Sequence, residues 1–297
     1  MGIELHLIAN YRHGIFLIFI TAVSMWLRLF GLFNVCLLIG CNSGGSSSSD
    51  SSNNSSSWYT PSVGVTWQWQ LQGTVNTSYD VTIYDIDLFD SSASLISTLQ
   101  AQGRKVICYF SAGSYENWRS DAADFDSSDL GNDVEGWANE QWLNINSTSV
   151  RNIMLARLDL AQSKGCDGVE PDNVDGYVNS SGFSLTYNDQ LSFNRFLANA
   201  AHSRGLAIGL KNDLDQIDDL VSYFDFAVNE QCFEYSECST VVPFITAGKP
   251  VLNAEYLSTY VSSSSARASM CSSSISLGLS TLVLSEDLDD SLRYSCR

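Results

Sequence analysis

Eight short apolar runs recur along the chain from residue 67 onward, and stretches with helical periodicity separate most of them. The runs are rich in Val, Ile, Phe and Tyr, a composition typical of buried strands. Because strands that alternate with helices usually pair in parallel, the pattern predicts a parallel sheet. The predicted strands are Trp67–Leu71, Val81–Asp87, Lys105–Ser111, Gly168–Asp172, Ala207–Asn212, Phe224–Glu230, Pro250–Glu255 and Thr281–Ser285.

Three of the connecting segments carry apolar residues on one helical face and stop at a glycine. In the first of them, Leu95, Ile96 and Leu99 share a face. Glycine just past the last helical residue is the expected C-terminal cap, because it adopts a left-handed backbone without steric cost. The predicted helices and their terminal glycines are Ser91–Gln102 with Gly103, Ser149–Lys164 with Gly165, and Asn188–Arg204 with Gly205.

The number of strand–helix units selects the fold class. Eight units in about 240 residues match the usual size of a (β/α)8 barrel, about 250 residues. We therefore predict an α/β fold, a single-domain (β/α)8 TIM-type barrel. A doubly wound sheet is the alternative, but it normally has a Gly-rich phosphate turn after its first strand, and Gln70-Leu71-Gln72-Gly73 is not one. The link Thr74–Asp80 is too short for a helix.

The N-terminal segment has the pattern of an export signal. Apolar runs at Ile15–Ile20 and Met25–Gly40 close on Leu38-Ile39-Gly40-Cys41, which resembles the bacterial lipobox. The resemblance implies cleavage before Cys41, lipidation of its thiol and a lipid anchor in the bacterial cell envelope, at the outer membrane or the cell surface. An uncleaved membrane anchor is the alternative, and translation could also start at Met25.

The signal is followed by a run of nearly pure Ser, Gly, Asn and Asp from Ser43 to Ser57. Such a segment cannot bury apolar surface, so we expect a flexible tether with an end-to-end distance of roughly 20 Å. The predicted organisation is a signal segment at residues 1–41, a linker at 42–57 and a barrel domain at 58–297.

Cysteine usage agrees with export. Six cysteines follow Cys41, and an even number in an exported chain favours disulfides. Six cysteines allow fifteen pairings, among which sequence alone cannot choose. Cys232 and Cys238 are close enough for a local bridge. The disulfide candidates are Cys108, Cys166, Cys232, Cys238, Cys271 and Cys296.

Charge and histidine content exclude several classes of function. The formal net charge is −18, and it becomes −19 once Arg12, Arg28 and Glu4 leave with the signal. Phosphate binding needs clustered Lys and Arg, so no nucleic-acid partner is expected. His202 is the one histidine beyond residue 13, which rules out a His-rich zinc site. We expect no metal, no cofactor and a monomer whose chemistry depends on carboxylates.

Polar residues end most of the predicted strands, where the active sites of such barrels lie. A buried carboxylate without a partner costs several kcal/mol, so acids ending five strands indicate a polar pocket at the barrel mouth. A set of helix caps and surface charges is the alternative interpretation. The residues are Gln70, Asp85, Asp87, Tyr109, Ser111, Glu170, Asp172, Lys211, Asn212, Asn229, Glu230, Glu255 and Glu286.

Strand alternation selects Asp172 and Glu230 as the catalytic pair. Each ends a strand on the inward face, and one strand separates them, so they can face each other across the pocket. Most glycoside hydrolases use two facing carboxylates as their catalytic groups. Lys211, on the strand between them, should keep Asp172 ionised as nucleophile or electrostatic stabiliser, while desolvation should make Glu230 the general acid/base. A structural salt bridge is the alternative role for Lys211.

Six motifs, in order along residues 60–290, resemble glycoside hydrolase family 114, whose members are endo-α-1,4-polygalactosaminidase-like barrel proteins. They are Trp67-Gln-Trp-Gln-Leu-Gln-Gly73, Tyr84-Asp-Ile-Asp-Leu-Phe-Asp90, Val106-Ile-Cys-Tyr-Phe-Ser-Ala-Gly113, Gly168-Val-Glu-Pro-Asp-Asn-Val-Asp175, Gly209-Leu-Lys-Asn-Asp213 and Asn229-Glu-Gln-Cys232.

The resemblance implies a TIM-type barrel that hydrolyses α-1,4-linked galactosamine polymers, either cationic or partly acetylated. The family's catalytic acids fall on Asp172 and Glu230, and its pocket positions fall on Asp87, Tyr109, Lys211 and Asn212. We add as substrate-binding candidates Trp69, Glu170, Glu255 and Tyr256. Aromatic rings offer apolar faces to sugars, although core packing is the favoured role for Trp69.

Two other classes of protein fit parts of the sequence. A non-catalytic sugar-binding barrel would keep Trp69, Trp118 and Trp142 for stacking, but it would not need both acids. A structural or adhesive surface lipoprotein would also explain the Ser-rich tether.

Overall fold

The computed structural model describes residues 58–297. The predicted signal segment, the linker and the lipidation site Cys41 lie outside the described residues. Within residues 58–297, every helix is too short or too polar to cross a bilayer.

Twelve strands and seven α-helices make up this part of the chain. The strands are β1 (Trp67–Gln70), β2 (Ile83–Asp87), β3 (Lys105–Ser111), β4 (Ser114–Glu116), β5 (Leu130–Asp133), β6 (Glu140–Leu143), β7 (Gly168–Asp172), β8 (Ala207–Lys211), β9 (Phe226–Glu230), β10 (Val251–Glu255), β11 (Ser280–Leu284) and β12 (Arg293–Ser295). The helices are α1 (Ala93–Ala101), α2 (Thr148–Lys164), α3 (Tyr187–His202), α4 (Ile217–Leu220), α5 (Val242–Thr246), α6 (Ser258–Ser262) and α7 (Ser264–Leu277).

The main sheet confirms the predicted barrel class. Its strands follow the order β1-β2-β3-β7-β8-β9-β10-β11-β12, and all neighbours except β11 and β12 are parallel. Each of the eight predicted apolar runs forms one parallel strand of this curled sheet, and β1 connects to β2 without a helix, as expected. The carboxyl ends of the eight parallel strands therefore meet at one edge.

The three predicted helices form, and side-chain caps that the sequence analysis did not name lie at their N-termini. Ser92 caps α1, and Thr186 with Asp189 forms a capping box on α3. Gly165 ends α2 in the left-handed region, at φ 84°. These ends fix the lengths of the helices that cover the outer face of the sheet.

The C-terminal segment, which was not predicted to be a strand, joins the two ends of the sheet. β12 pairs antiparallel with β11, and Arg293 donates a hydrogen bond to the Trp67 carbonyl at 2.9 Å. From the opposite side, Trp67 Nε1 donates to the Ser280 carbonyl at 2.8 Å. Side-chain bonds thus tie β1 to the β11–β12 pair.

A second sheet of three antiparallel strands, β4-β6-β5, lies between β3 and α2 and was missed by the sequence analysis. Its strands are only three or four residues long and carry polar residues at most positions. No apolar alternation marks them, so periodicity could not have found them. This sheet (the inserted sheet) lies above the carboxyl end of β3.

Two apolar layers support the strands. A large cluster packs between sheet and helices, and a smaller one, which includes Trp67, Ile83 and Phe226, fills the base of the barrel. At the amino end of β9, Asp225 accepts hydrogen bonds from Trp58 and His202, whose rings stack at 3.9 Å. The first described residue is therefore fastened at the face of the barrel opposite the strand ends.

Three disulfides form in the described residues: Cys108–Cys166, Cys232–Cys238 and Cys271–Cys296. They include the local bridge favoured from the sequence. Cys108–Cys166 ties β3 to the residue pair before β7, with a sequence separation of 58. Cys232–Cys238 closes a short loop directly after β9, with a separation of 6.

These separations predict unequal contributions to stability. A cross-link restricts the unfolded chain more when its loop is longer, so Cys108→Ala/Cys166→Ala should lower the free energy of unfolding by ~4 kcal/mol and Cys232→Ala/Cys238→Ala by ~2 kcal/mol. Urea titration of both double variants measures the difference. Equal losses, or a larger loss for the short loop, would contradict this ranking.

Candidate active site

A cavity of about 850 Å³ opens at the carboxyl ends of the parallel strands. Its walls come from the strand ends, from the inserted sheet and from the loop that precedes β12. Of the residues predicted to be functional, those that line it are Trp69, Asp87, Tyr109, Asp172, Lys211, Asn212, Glu230, Tyr256 and Glu286.

The Lys211 ammonium group lies between the two predicted catalytic acids. Its Nζ is 3.0 Å from Asp172 Oδ1 and 2.8 Å from Glu230 Oε2, and its side chain is only 5% exposed. Burial opposes the charged form, but Asp172, Glu230 and Glu170 outweigh it and raise the pKa of Lys211 well above its usual value. The lysine is therefore a fixed positive charge shared by both acids.

This arrangement changes one expectation. The sequence placed Lys211 beside Asp172 alone and left Glu230 in an apolar setting, whereas the ammonium contacts both carboxylates. The charge of Lys211 does not by itself distinguish an acid from a nucleophile.

The second oxygen of each carboxylate receives a hydrogen bond from a tyrosine. Tyr109 donates to Asp172 Oδ2 at 2.9 Å, and Tyr256 donates to Glu230 Oε1 at 2.6 Å. The oxygens that face Lys211 are also bonded, Asp172 Oδ1 by its neighbouring amide and Glu230 Oε2 by the Asn212 side chain at 3.1 Å. Every carboxylate oxygen of the pair thus has a partner.

Three left-handed residues turn the chain immediately after the functional strand ends. Asn173 follows Asp172 at φ 58°, Asn212 follows Lys211 at φ 47°, and Gln231 follows Glu230 at φ 60°. Asparagine tolerates this backbone better than most residues. Asn212 also holds Glu230 in place, because its side-chain oxygen accepts a hydrogen bond from the Glu230 amide at 3.0 Å.

Asp87 lines the cavity as predicted, but it is held by an arginine that the sequence analysis missed. Arg119 Nη2 lies 2.7 Å from both Asp87 and Glu116. Burial disfavours the charged arginine, yet Glu116 and Asp87 raise its pKa overall. The result is a buried ion-pair cluster between β2 and the inserted sheet.

Glu140, also missed, connects the inserted sheet to the catalytic strand end. It accepts hydrogen bonds from the Ser114 hydroxyl and from Asn173 Nδ2. Burial raises the pKa of Glu140 to about 7, although the Ser114 bond opposes the shift. Since Asn173 follows Asp172 directly, Glu140 helps to fix the backbone that carries the catalytic acid.

Two predicted substrate-binding acids do not line the cavity. Glu255 lies on the opposite face of β10 from Ala254 and Tyr256, and it accepts a hydrogen bond from the Phe233 amide at 2.9 Å. Glu170 lies on the correct face but one layer below Asp172, with no exposed surface. Substrate contact by Glu170 and Glu255 stays a prediction from the sequence, and neither residue is among those that line the cavity.

The aromatic side chains near the cavity are either buried in its floor or exposed at its rim. Trp69 reaches the cavity floor but is 1% exposed and stacks on Trp67, which agrees with a packing role. At the rim, three large rings are well exposed and line the cavity: Trp118 at 53%, Trp137 at 50% and Tyr235 at 61%. Trp137 and Tyr235 were not predicted.

A sequence signal for the missed residues did exist. The connection between β3 and α2 is far longer than the 2–6 residues common in such units. It also carries three of the seven tryptophans, Trp118, Trp137 and Trp142. A long aromatic connection at the carboxyl end of a barrel strand is typical of a substrate-binding loop.

No group of three or more His, Cys, Asp or Glu side chains in residues 58–297 has an arrangement that could hold a metal ion.

Comparisons with known proteins agree with this geometry. A model of "Glycoside-hydrolase family GH114" matches residues 47–297. The crystal structure of Aspergillus fumigatus Ega3 in complex with galactosamine has 48% identity and a TM-score of 0.77, over 80% of this chain and 97% of that chain. The glycoside hydrolase domain of PelA from Pseudomonas aeruginosa shares the fold, with 15% identity and a TM-score of 0.61, over 77% and 98% of the two chains. No curated protein matches the chain in sequence.

The close packing behind Asp172 yields a prediction. A β-carbon on Gly113 would lie 1.7 Å from the Asn173 carbonyl oxygen, so Gly113→Ala must displace the peptide that follows Asn173, one residue beyond Asp172. A misplacement of about 1 Å can cost about a hundredfold in rate, and we expect a loss in kcat of that order.

Gly248→Ala is the matched control for this change. A β-carbon there meets nothing within 4 Å, although the backbone, at φ 76°, is strained for alanine. It should lower Tm without lowering kcat. If Gly113→Ala also affects Tm alone, the backbone at Asn173 does not position the acid.

Proposed function

We propose that this chain, which belongs to glycoside-hydrolase family GH114 and is therefore a glycosidase, hydrolyses α-1,4 linkages in a polysaccharide that contains galactosamine. The family that the six sequence motifs predicted is confirmed by the match over residues 47–297. The observation that carries the proposal is the pair of carboxylates, Asp172 and Glu230, held by one buried lysine in the cavity. The substrate class is supported by the solved relative with galactosamine at 48% identity.

The separation of the two acids supports a retaining mechanism. Asp172 Oδ1 and Glu230 Oε2 both lie within 3.0 Å of Lys211 Nζ, so these oxygens are no more than about 6 Å apart. Retaining glycosidases have carboxyl groups about 5–5.5 Å apart, whereas inverting enzymes need roughly 6.5–9.5 Å to admit a water molecule. We assign this chain to the retaining class.

Asp172 is the nucleophile in this proposal. It is the less exposed acid, at 17% against 24% for Glu230, and its Oδ1 accepts a hydrogen bond from the Asn173 amide at 2.7 Å. That bond and the Lys211 contact hold the carboxylate of Asp172 in one orientation. The carboxylate attacks the anomeric carbon, and the glycosidic bond breaks to give a covalent glycosyl ester.

Glu230 is the general acid/base. Its longer side chain reaches further into the cavity, and the Tyr256 hydroxyl on Oε1 can accept as well as donate a hydrogen bond. Glu230 protonates the departing oxygen and then takes a proton from the water that cleaves the ester. Tyr109 makes the equivalent hydrogen bond to Asp172, so the tyrosines do not distinguish the nucleophile from the acid/base. The hydrogen bond from the Asn173 amide to Asp172 does distinguish them.

The lining of the cavity suits a cationic sugar polymer. Ten carboxylates line it against two cationic side chains, Arg119 and Lys211. Free galactosamine units carry ammonium groups, which such a field attracts, and the exposed rings at the rim offer faces on which pyranose units can stack. A non-catalytic or adhesive role would leave the paired, fully bonded acids without a function.

We also propose that the enzyme acts outside the cytoplasm as a membrane-anchored monomer. Three disulfides support an oxidising compartment. Lipidation at Cys41 stays a prediction from the sequence, which mass spectrometry of the mature N-terminal peptide would test.

Replacing either catalytic acid by its amide should abolish turnover while the fold persists. We expect Asp172→Asn and Glu230→Gln to lower kcat by several orders of magnitude, on the order of 10⁴, because the nucleophile or the proton donor is lost. Release of reducing ends from a partly deacetylated galactosamine polymer measures the rate. Asp218→Asn removes the same charge at an exposed position of α4 and should behave as wild type.

The same assay tests the substrate class with the wild-type enzyme. A fully acetylated, neutral polymer should be cleaved more slowly than the cationic one, because it loses the attraction of the acidic lining. Near-wild-type activity in both amide variants would refute the catalytic pair, and cleavage independent of polymer charge would refute the electrostatic part alone.

A further inference from the structure

Two buried acids lie directly beneath the catalytic pair and take no part in the mechanism above. Asp85 on β2 precedes Asp87 by two residues, and Glu170 on β7 precedes Asp172 by two, so each points inward one layer deeper. β3 is the strand between them. Neither residue has any exposed surface.

The carboxyls of Asp85 and Glu170 are close enough for each to act on the pKa of the other. None of their four oxygens receives a hydrogen bond from an N–H group or a hydroxyl within residues 58–297. Keeping two such carboxyls ionised without a donor is costly in a dry layer. Ionised carboxylates only accept hydrogen bonds, so a proton on one of them is the donor that this pair lacks.

The surrounding groups make the charge of this pair important for the site above it. Lys211 faces it from β8, Asp172 from β7, Tyr109 from β3 and Tyr256 from the end of β10. Of these, Lys211 alone is cationic, and its ammonium already contacts Asp172 and Glu230. Two further full charges below it would compete for the same ammonium.

We propose that Asp85 and Glu170 are positioning residues that share one proton at neutral pH, and that this proton leaves Lys211 free to bond both catalytic carboxylates. A doubly ionised pair would draw the ammonium down the barrel and place two uncompensated charges in a dry layer. A single shared proton halves the charge and supplies a donor to a group of four oxygens that otherwise have none.

The direction of the pKa shifts agrees with this assignment. Burial raises the pKa of Asp85 to about 7, against the opposing effect of Lys211. Burial and the charge of Asp85 raise the pKa of Glu170 well above its usual value.

The shared proton has a measurable consequence for stability. At pH 7 the unfolded chain has both carboxyls ionised, while the folded chain keeps one proton on the pair. Because the folded state binds more protons, its stability falls as pH rises, with a slope set by the number of protons. The slope ends only when pH passes the raised pKa of the folded pair.

Glu170→Gln and Asp85→Asn should each reduce this slope by about one proton between about pH 7 and 8. In either variant an amide donates to the remaining carboxylate, so the proton is no longer needed. In the double variant the slope should also be reduced by about one proton and not by two, because the two carboxyls share a single proton. Urea titrations at several pH values give the slopes, and Asp218→Asn, an exposed carboxyl, should leave the slope unchanged.

Infrared spectroscopy supplies a second readout. The carbonyl band of protonated carboxyls should be present in wild type at pH 7 and weaker in Glu170→Gln, because that variant leaves the contribution of buried Glu140 unchanged. In the activity assay, kcat/KM of Glu170→Gln should fall less toward alkaline pH than that of wild type, because the pair can no longer gain a second charge.

These measurements separate the proposal from the proposed function, since the slope and the infrared band do not depend on any substrate. An unchanged slope in both single variants, or a protonated band equally strong in wild type and Glu170→Gln at pH 7, would overturn the shared proton. Identical pH profiles of wild type and Glu170→Gln would overturn its effect on catalysis.

Discussion

One buried ammonium group organises the upper layer of this barrel. Lys211 is 5% exposed and lies between two carboxylates at 3.0 and 2.8 Å. Removing such a charge from water is costly, and the cost is offset only where opposite charges and hydrogen bonds surround it. Because β8 lies between β7 and β9 in the sheet, the strand order itself supplies those partners. Tyr109 and Tyr256 bind the carboxylate oxygens of Asp172 and Glu230 that do not face Lys211.

The interior of the barrel changes in character from base to mouth. Apolar side chains such as Trp67, Ile83 and Phe226 fill the base. Asp85 and Glu170 form a dry acid pair above them, and the layer that contains Asp172, Lys211 and Glu230 opens into the cavity. The packed base fixes the positions of the strands that carry the two upper layers. The acid pair, in turn, sets how much negative charge Lys211 must balance. The disulfide at Cys232, two residues after Glu230, secures the last of these strand ends.

Much of this could be predicted from the sequence, and the failures have definite causes. The strands, three long helices and the positions of Asp172, Lys211 and Glu230 follow from local periodicity and glycine stops, which are properties of neighbouring residues. Glu255 lies outside the cavity because the strand end was identified without its facing: Ala254 and Tyr256 point inward, and Glu255 does not. Glu170 lies below the cavity, since strand alternation gives the face of a residue and not its depth. Arg119 and Glu140 were missed because their partners, Asp87 and Asn173, lie on strands that only the fold brings close.

The central claim is that the shared lysine makes the two acids a catalytic unit, and Lys211→Met tests it most directly. Lys105→Met is the matched control, because Lys105 forms its ion pair with Asp167 at the amino ends of the strands, away from the cavity. We expect that Lys211→Met remains folded and loses at least about a hundredfold in kcat/KM because both acids lose their cation, while Lys105→Met is unaffected. A folded Lys211→Met enzyme with the rate of wild type would contradict the claim.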